Sequence, residues 1–487
     1  MAMREEVNER VATSDVTLDE SIYPREKIDH KRVSIFAENL RDGFKFEPIQ
    51  VQIHPEKEGK YRILDGVHRW NAHKEVGLTD IPVIIKDLKG IDPLLYAAKM
   101  AIGPKQLTEE ETRSTARRAF QNNPQLTSSE IGKLIGRSRQ TIDNYIADLR
   151  AVRQIKIDQK IWRMNRLGIP QERIARRLGE TRDVIRSHLG EMPIMAKSPN
   201  SDLSKGLTIP QVAAKHGWSE PMLWSLVLEG KPDQTRFKNL GWGLRTWDLW
   251  NFNDCDPRFG DDWPGRIPAQ MIGHILFYFS NPDDLIFDPM AGGGVTADTC
   301  LALGRRCWSL DMEDRADLRP EIEHYYWDMT IKSWEDTILE SREKPDLIIF
   351  DPPYFQKKAA SYGENSIARL PRLEYLHFLE NFFRFLKTTA KKTTRLALIN
   401  SDWRDFQSCP ALKEETQNAI LLTDYYKILE PAGWELTHII QAPLSSERFN
   451  AIIVSAMQEK KILGVTSRYI LLLKLKMDIE KNNISGK

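Results

Sequence analysis

The sequence predicts a multi-domain chain: an α+β amino-terminal unit, an all-α middle and a doubly wound α/β domain in the second half. Three observations predict it. Short apolar runs in the second half each end in an aspartate, and the first is followed by a glycine turn that opens a helix. In the middle, a helix, a glycine turn and a second helix recur three times. Near the amino terminus, alternating apolar runs flank a polar turn before a helical stretch.

The amino-terminal unit spans about residues 15–103. Residues 48–53 and 61–64 alternate like strands around the turn at 55–60, residues 65–72 turn into a helix, and residues 81–85 form a last strand. Together these resemble the amino-terminal domain of ParB-type partition proteins, which is related to sulfiredoxin. The resemblance implies that the turn holding Gly66, His68 and Arg69 grips nucleotide phosphates, since glycine, a helix start and cationic side chains suit an anion. Val67 stands where sulfiredoxin has its cysteine, so that chemistry is not expected. The alternative keeps Arg69 paired with Asp65 or Asp80, and His68 as a satisfied core residue.

Residues 104–190 form the expected helix-turn-helix region. Its 18 Lys and Arg against 10 Asp and Glu leave a surplus of eight, although the whole chain carries only +1. The basic charge is therefore concentrated in one block, as nucleic-acid binding requires. Ile131 with Gly136, Ile174 with Gly179 and Val212 with Gly217 share one spacing, and a Ser or Thr begins each second helix. A second helix of this kind enters a DNA major groove, which puts Arg137, Arg139, Gln140, Arg182 and Arg186 in recognition positions. The third copy, at 207–230, is poor in Arg, and its Trp218 and Trp224 also suit a hairpin core. Residues 191–206, with Pro193, Pro199 and several serines, read as a linker, and residues 230–233 as a hinge. Trp242, Trp247, Trp250 and Phe252 read as cover for a hydrophobic surface rather than as base-stacking rings.

The α/β domain is expected over 240–475. Asp288, Pro289, Gly292 and Gly294 follow the apolar strand 285–287, and strand, glycine turn and helix together make a cofactor-binding layout. Roughly 20 residues further on, where such folds keep a ribose-binding carboxylate, another strand ends in Asp311. Asp328 ends a third and Asp351 a fourth. Each aspartate alone could cap a helix; together they fit one cofactor and one substrate.

Asp351, Pro352, Pro353 and Tyr354 suit transfer to a base amine. The exocyclic nitrogen of adenine or cytosine is a poor nucleophile, so its N–H hydrogens need acceptors as it reacts. Asp351 and the Pro352 carbonyl could both face one amine, in a turn stiffened by Pro352 and Pro353, with Tyr354 stacked on the ring. Taking a base out of a duplex costs a few kcal/mol, much of which one aromatic platform offsets.

Residues 262–475 resemble the DNA amino-methyltransferases that make N6-methyladenine or N4-methylcytosine. The resemblance rests on the segment around Pro268, on the turn from Asp288 to Thr296, and on the tetrapeptide at 351–354. Met290 replaces the family's usual Phe, and Val295 separates the last glycine from Thr296. It implies a Rossmann-like fold, S-adenosylmethionine as cofactor, and no metal. It also implies a cofactor pocket shaped by Pro268, Asp288, Pro289, Gly292 and Gly294, with Asp311 on the ribose hydroxyls and Asp328 by the adenine. Adenine is the expected base, because the family's Asp version of the tetrapeptide is commoner for N6 products. N4-cytosine methylation and a nonenzymatic ParB-like DNA-binding protein are the alternatives.

Cys255, Cys300, Cys307 and Cys409 show no metal-like spacing, which points to free thiols in a reducing compartment. The charged amino terminus and short apolar runs point to a cytoplasmic protein without a membrane span. Double-stranded DNA is the expected partner. A nucleoside triphosphate at the ParB-like turn and a homodimer are the open partner readings.

Overall fold

The computed structural model describes residues 7–101, 107–252, 254–327, 343–356, 361–362, 364, 366–404, 419–444 and 450–476. Asp328, Cys409 and the lysines at 357 and 358 lie outside the described residues. The chain divides into two compact units, residues 1–154 and 155–487.

The first unit is built on a five-stranded sheet in the order β1-β5-β3-β4-β2. Its elements are β1 (Val7–Ala12), β2 (Val16–Thr17), α1 (His30–Arg41), β3 (Ile49–Ile53), β4 (Tyr61–Asp65), α2 (Val67–Val76) and β5 (Asp80–Ile85). Alternation buries Ile49 and Val51 of β3 and Ile81 and Val83 of β5, which pack with Val67 and Trp70 of α2. β1 begins before the expected start at residue 15. It pairs antiparallel with β5, and so distant a partner leaves no local sequence signal.

Helices α3 (Pro93–Met100), α4 (Glu109–Asn122), α5 (Ser128–Ile135) and the first half of α6 (Arg139–Arg166) surround a second core. α5 and α6 are the first expected helix-turn-helix. Thr127 and Glu130 form a capping box at the start of α5, and Gly136, at φ 70°, ends it in a left-handed turn. Ile131 and Ile142 are both fully buried across that turn.

The unit boundary falls inside the region expected at 104–190. α6 is one continuous helix of 28 residues; Ile142 and Ile146 belong to the helical core of the first unit, whereas Ile161, Trp162 and Met164 belong to the core of the second unit. A turn-based reading of the sequence finds no break there, because the helix has none.

The second unit continues with α7 (Gln171–Leu178), α8 (Arg182–Met195), α9 (Lys197–Ser204), α10 (Ile209–His216), α11 (Glu220–Val227) and α12 (Asp233–Leu240). The linker expected at 191–206 is helical instead. Pro199 lies in the first turn of α9, where N–H groups lack intrahelical partners, whereas Pro193 lies inside α8 near its end and costs that helix one backbone bond. Asp202 of α9 accepts from His216 Nε2 at 2.7 Å and pairs with Lys215 at 2.7 Å, tying α9 to α10.

Next come α13 (Ala269–Phe279), β6 (Leu285–Asp288), α14 (Val295–Leu303), β7 (Arg306–Asp311), β8 (Ile322–His324), β9 (Leu347–Phe350), α15 (Arg372–Thr389), β10 (Arg395–Ser401), α16 (Leu422–Leu429), β11 (Trp434–Gln441), α17 (Ala451–Glu459) and β12 (Arg468–Leu475). The seven-stranded sheet runs β11-β12-β10-β9-β6-β7-β8. β8 to β10 are parallel through β7, β6 and β9; β12 pairs antiparallel with β10 and β11 antiparallel with β12, so that β12 alone runs against the other strands. The wholly apolar stretches of β6 and β9 are buried on both faces, as a parallel sheet covered by helices requires. Strand order reverses between β6 and β9, and a crevice for a ligand opens at such a switch point.

The third expected helix-turn-helix, α10 with α11, is consumed by packing. Met222 and Leu223 of α11 are fully buried, Trp218 and Trp224 are buried beside them, and Trp218 lies 5.1 Å from the Trp162 ring. A helix so covered cannot enter a groove. Trp242 and Trp250 are likewise buried, as cover for the α13 side of the domain, whereas Trp247 is exposed beneath Arg245.

Candidate active site

β6, β7 and β9 carry their terminal aspartates to one end of the sheet, so Asp288, Asp311 and Asp351 line one cavity of about 320 Å³. Gly292, Gly293, Thr296, Met312, Trp327 and Tyr354 line it too. Asp351 therefore faces the space that the glycine turn bounds.

Asp288 and Asp311 are held by backbone N–H groups. Asp311 Oδ2 accepts from Gly292 N at 2.8 Å and its Oδ1 from Glu313 N at 3.0 Å. A carboxylate offers about four lone-pair sites, so Asp311 retains acceptor capacity toward a ligand. Asp288 Oδ1 accepts from Met290 N at 3.2 Å. Burial, aided by the nearby charges of Asp351 and Asp311, pushes the Asp288 carboxyl up to about 7 against the pull of Thr296 and Met290 N.

In the tetrapeptide, the Tyr354 hydroxyl donates to Asp351 Oδ1 at 2.8 Å. Tyr375 of α15 donates its hydroxyl to the Pro353 carbonyl at 3.1 Å and so braces the turn. Burial first, then the charge of Asp351, raises the Tyr354 hydroxyl well above its ordinary value and pushes Tyr362 up to about 12. Both phenols stay protonated as donors. Tyr362 donates to the Pro264 carbonyl at 3.3 Å on the cavity's other wall.

Not every expected residue reaches the cavity. Pro268 caps the start of α13 behind Arg266 and Ile267, which do line it, and the Pro289 carbonyl accepts from Trp327 Nε1 at 2.8 Å. Gly294 is turned away; a Cβ there would collide with the Arg319 guanidinium. Its glycine is demanded by protein packing as much as by a ligand. Trp263, Tyr362, Tyr375, Arg315 and Arg319 went unnoticed in the sequence because they lie outside the motif residues themselves, in flanking segments without a periodic pattern. No spacing pattern could have found them.

The recognition positions of the two remaining helix-turn-helix units are surface residues. Arg137 reaches Glu109 at 3.4 Å, Arg139 reaches Asp143 at 3.6 Å, and Gln140 is exposed. Arg182 pairs with Glu172 at 2.9 Å and Arg186 with Asp183 at 3.1 Å. Exposed pairs of this kind contribute little, so the cations exchange partners readily. The unit made of α7 and α8 is docked on β8: Arg173 and Arg177 reach Glu323 at 3.3 and 3.5 Å, and Arg177 also donates to the Ile322 carbonyl.

In the first unit, Gly66 precedes α2 at φ 100°. Arg69 donates to Asp65 Oδ2 at 2.6 Å and to the Glu47 carbonyl at 2.9 Å, and His68 Nε2 accepts from Asp29 N at 3.2 Å. The pairing of Arg69 with Asp65 is thus the one formed, while Asp80 pairs with Arg10.

A sheet reversed between β6 and β9, a glycine turn and three strand-end carboxylates around one cavity define a Rossmann-like methyltransferase domain. Residues 198–316 match the family described as DNA methylase, and residues 2–97 match the ParB N-terminal domain. The chain thus joins a ParB N-terminal domain to a DNA methylase domain, whose cofactor is S-adenosylmethionine. The carboxylate set suits a cationic donor, and the bare backbone at Gly292 and Gly293 leaves room beside Trp263, which a Cβ would meet within 3 Å.

Among curated relatives, the probable chromosome-partitioning protein ParB of Vibrio cholerae is 29% identical over 123 residues, 25% of this chain and 41% of that protein. Its Mycobacterium leprae counterpart is 31% identical over 147 residues, 30% of this chain and 43% of that one. The chain spans about two fifths of the length of these relatives. Among solved structures, a TehB-like SAM-dependent methyltransferase from Corynebacterium glutamicum is 14% identical. That match covers 43% of this chain and 86% of the other, with a TM-score of 0.24.

Proposed function

We propose that the protein is a DNA amino-methyltransferase that modifies the exocyclic amine of an extruded base, adenine N6 in preference to cytosine N4, and that its amino-terminal half directs it to double-stranded DNA. The meeting of Asp351 with Asp288, Asp311 and the Gly292 backbone at one cavity carries this reading. S-adenosylmethionine, when bound, supplies an electrophilic methyl group. Asp311 accepts from hydroxyls of the donor. Asp351 and the Pro352 carbonyl accept the amine hydrogens, which localises the nitrogen lone pair for attack, and the surplus proton leaves through Asp351 to solvent. Tyr354 holds Asp351 in place and offers its ring to the base, offsetting part of the cost of unstacking.

Arg139, Gln140, Arg182 and Arg186 support DNA targeting, since all four present polar ends at the surface of helix-turn-helix units. A nucleoside triphosphate at Gly66 to Arg69 would have to displace the pair of Arg69 with Asp65; titration with CTP or ATP measures this directly. The main test is incubation of the full chain with methyl-labelled donor and mixed duplex DNA, followed by digestion to nucleosides and mass spectrometry. N6-methyladenine is expected. N4-methylcytosine would correct the base, and DNA binding without any incorporation would favour a nonenzymatic DNA-binding protein.

A further inference from the structure

The glycine turn is held from behind by two arginines of the segment between β7 and β8. Arg315 Nη1 donates to the Gly292 carbonyl at 2.6 Å, and Arg319 Nη2 donates to those of Gly293 and Gly294 at 3.0 and 2.8 Å. Because a peptide group is planar, fixing these carbonyls also fixes the direction of the N–H groups that follow them. The turn's shape therefore depends on where the two guanidinium groups sit.

Asp261 balances Arg315 at 2.5 Å. Arg319 is balanced by Asp298 of α14 at 3.1 Å and by Glu321 at 3.2 Å, with Asp261 further off at 3.8 Å, but neither of the two near carboxylates is its own. Arg163 of α6 also pairs with Asp298, and its Nε lies 2.8 Å from Glu321. Asp298 further accepts from Gly260 N at 2.7 Å. Burial acts to raise the Asp298 carboxyl, yet Arg163 and Arg319 hold it below its ordinary value. Two guanidinium groups and two carboxylates thus form a neutral buried square whose one corner touches the cofactor turn.

We propose that Arg163 is a positioning residue for the donor-binding turn: by sharing Asp298 and Glu321 with Arg319, it keeps the Arg319 guanidinium against the Gly293 and Gly294 carbonyls. Without Arg163, two buried carboxylates compete for one guanidinium, and a net negative charge is left without water. Arg319 is then drawn off the turn. The residue lies 135 positions before Asp298, on the helix that also carries Arg139, and outside the residues that match the methylase family. The inference rests on the reading that this turn binds S-adenosylmethionine.

Calorimetric titration of the full chain with S-adenosylmethionine tests both levels separately. Failure of the wild-type protein to bind would sink the reading of the site itself. With wild-type binding in hand, Arg163→Met and Arg163→Lys are compared. The Lys variant keeps the buried charge and the fold but cannot span both carboxylates, so its Kd for the donor should rise roughly tenfold, with a larger rise for Met. Turnover at saturating donor and KM for DNA should change less than about threefold. A lowered melting temperature in Arg163→Lys with an unchanged donor Kd would mean a stabilising role alone and would overturn the proposal.

Discussion

The Tyr354 hydroxyl donates to Asp351 Oδ1 at 2.8 Å, which joins the two polar groups of the tetrapeptide into one unit facing the donor cavity. Removing either partner should therefore have a different signature. Asp351→Ala is expected to lower turnover by at least ~10² while donor binding is spared. Tyr354→Phe keeps the ring and loses only the bond, so turnover should fall by roughly tenfold. Methyl incorporation into DNA measures both; full activity in Asp351→Ala would remove it from the chemistry.

Asp288 should make the stability of the second unit depend on pH. Its carboxyl titrates near 7 in the fold, above the ordinary carboxylate range, so the folded state holds a proton that the unfolded chain has released. Its stabilising contribution is complete below the unfolded value and lost as pH rises through about 7. The loss is about 4 kcal/mol at most. Asp288→Asn should flatten this slope in denaturant titrations between pH 5 and 8. Parallel slopes in the two proteins would show that Asp288 is ionised in the fold throughout.

Gly294→Ala should damage the donor site through Arg319. The residue has φ 80°, and an added Cβ would lie 2.6 Å from Arg319 Cζ in a buried ion cluster. A stability loss of about 1–3 kcal/mol is expected, together with weaker donor binding. Wild-type donor affinity in this variant would mean that the turn tolerates displacement of Arg319.

Arg182→Ala and Arg186→Ala probe DNA contact without touching the cavity. Both side chains are more than half exposed, at 57% and 62%. Each substitution should weaken duplex binding and, where the contact is to phosphate, lower the salt slope by about one. Donor affinity should not move. Unchanged DNA affinity across a salt series in the double variant would take α8 off the duplex.

The local patterns were readable because they depend on near neighbours. Ile131, Ile174 and Val212, picked out by spacing to a glycine, are all fully buried, and Gly136, Gly179 and Gly217 all have φ near 70°. The strand ends at Asp288 and Asp311 stand where alternating apolar runs and turns put them. Spacing could not say what a helix surface is used for. α11 has the same local design as α8, yet Met222 and Leu223 are sealed inside the domain while Arg182 and Arg186 face outward.

Short-range physics, a side chain's period along its own element and a glycine's access to left-handed backbone, thus sufficed to set the α/β class, the helical hairpins and the aspartates at strand ends. Tertiary structure alone decided that α6 spans both cores, that residues 191–206 are helical, and that Arg163, Arg315 and Arg319 stand behind the glycine turn. Buried charges are satisfied by whichever partners the packed chain brings within reach. Those partners lie far apart in sequence, so no local pattern announces them.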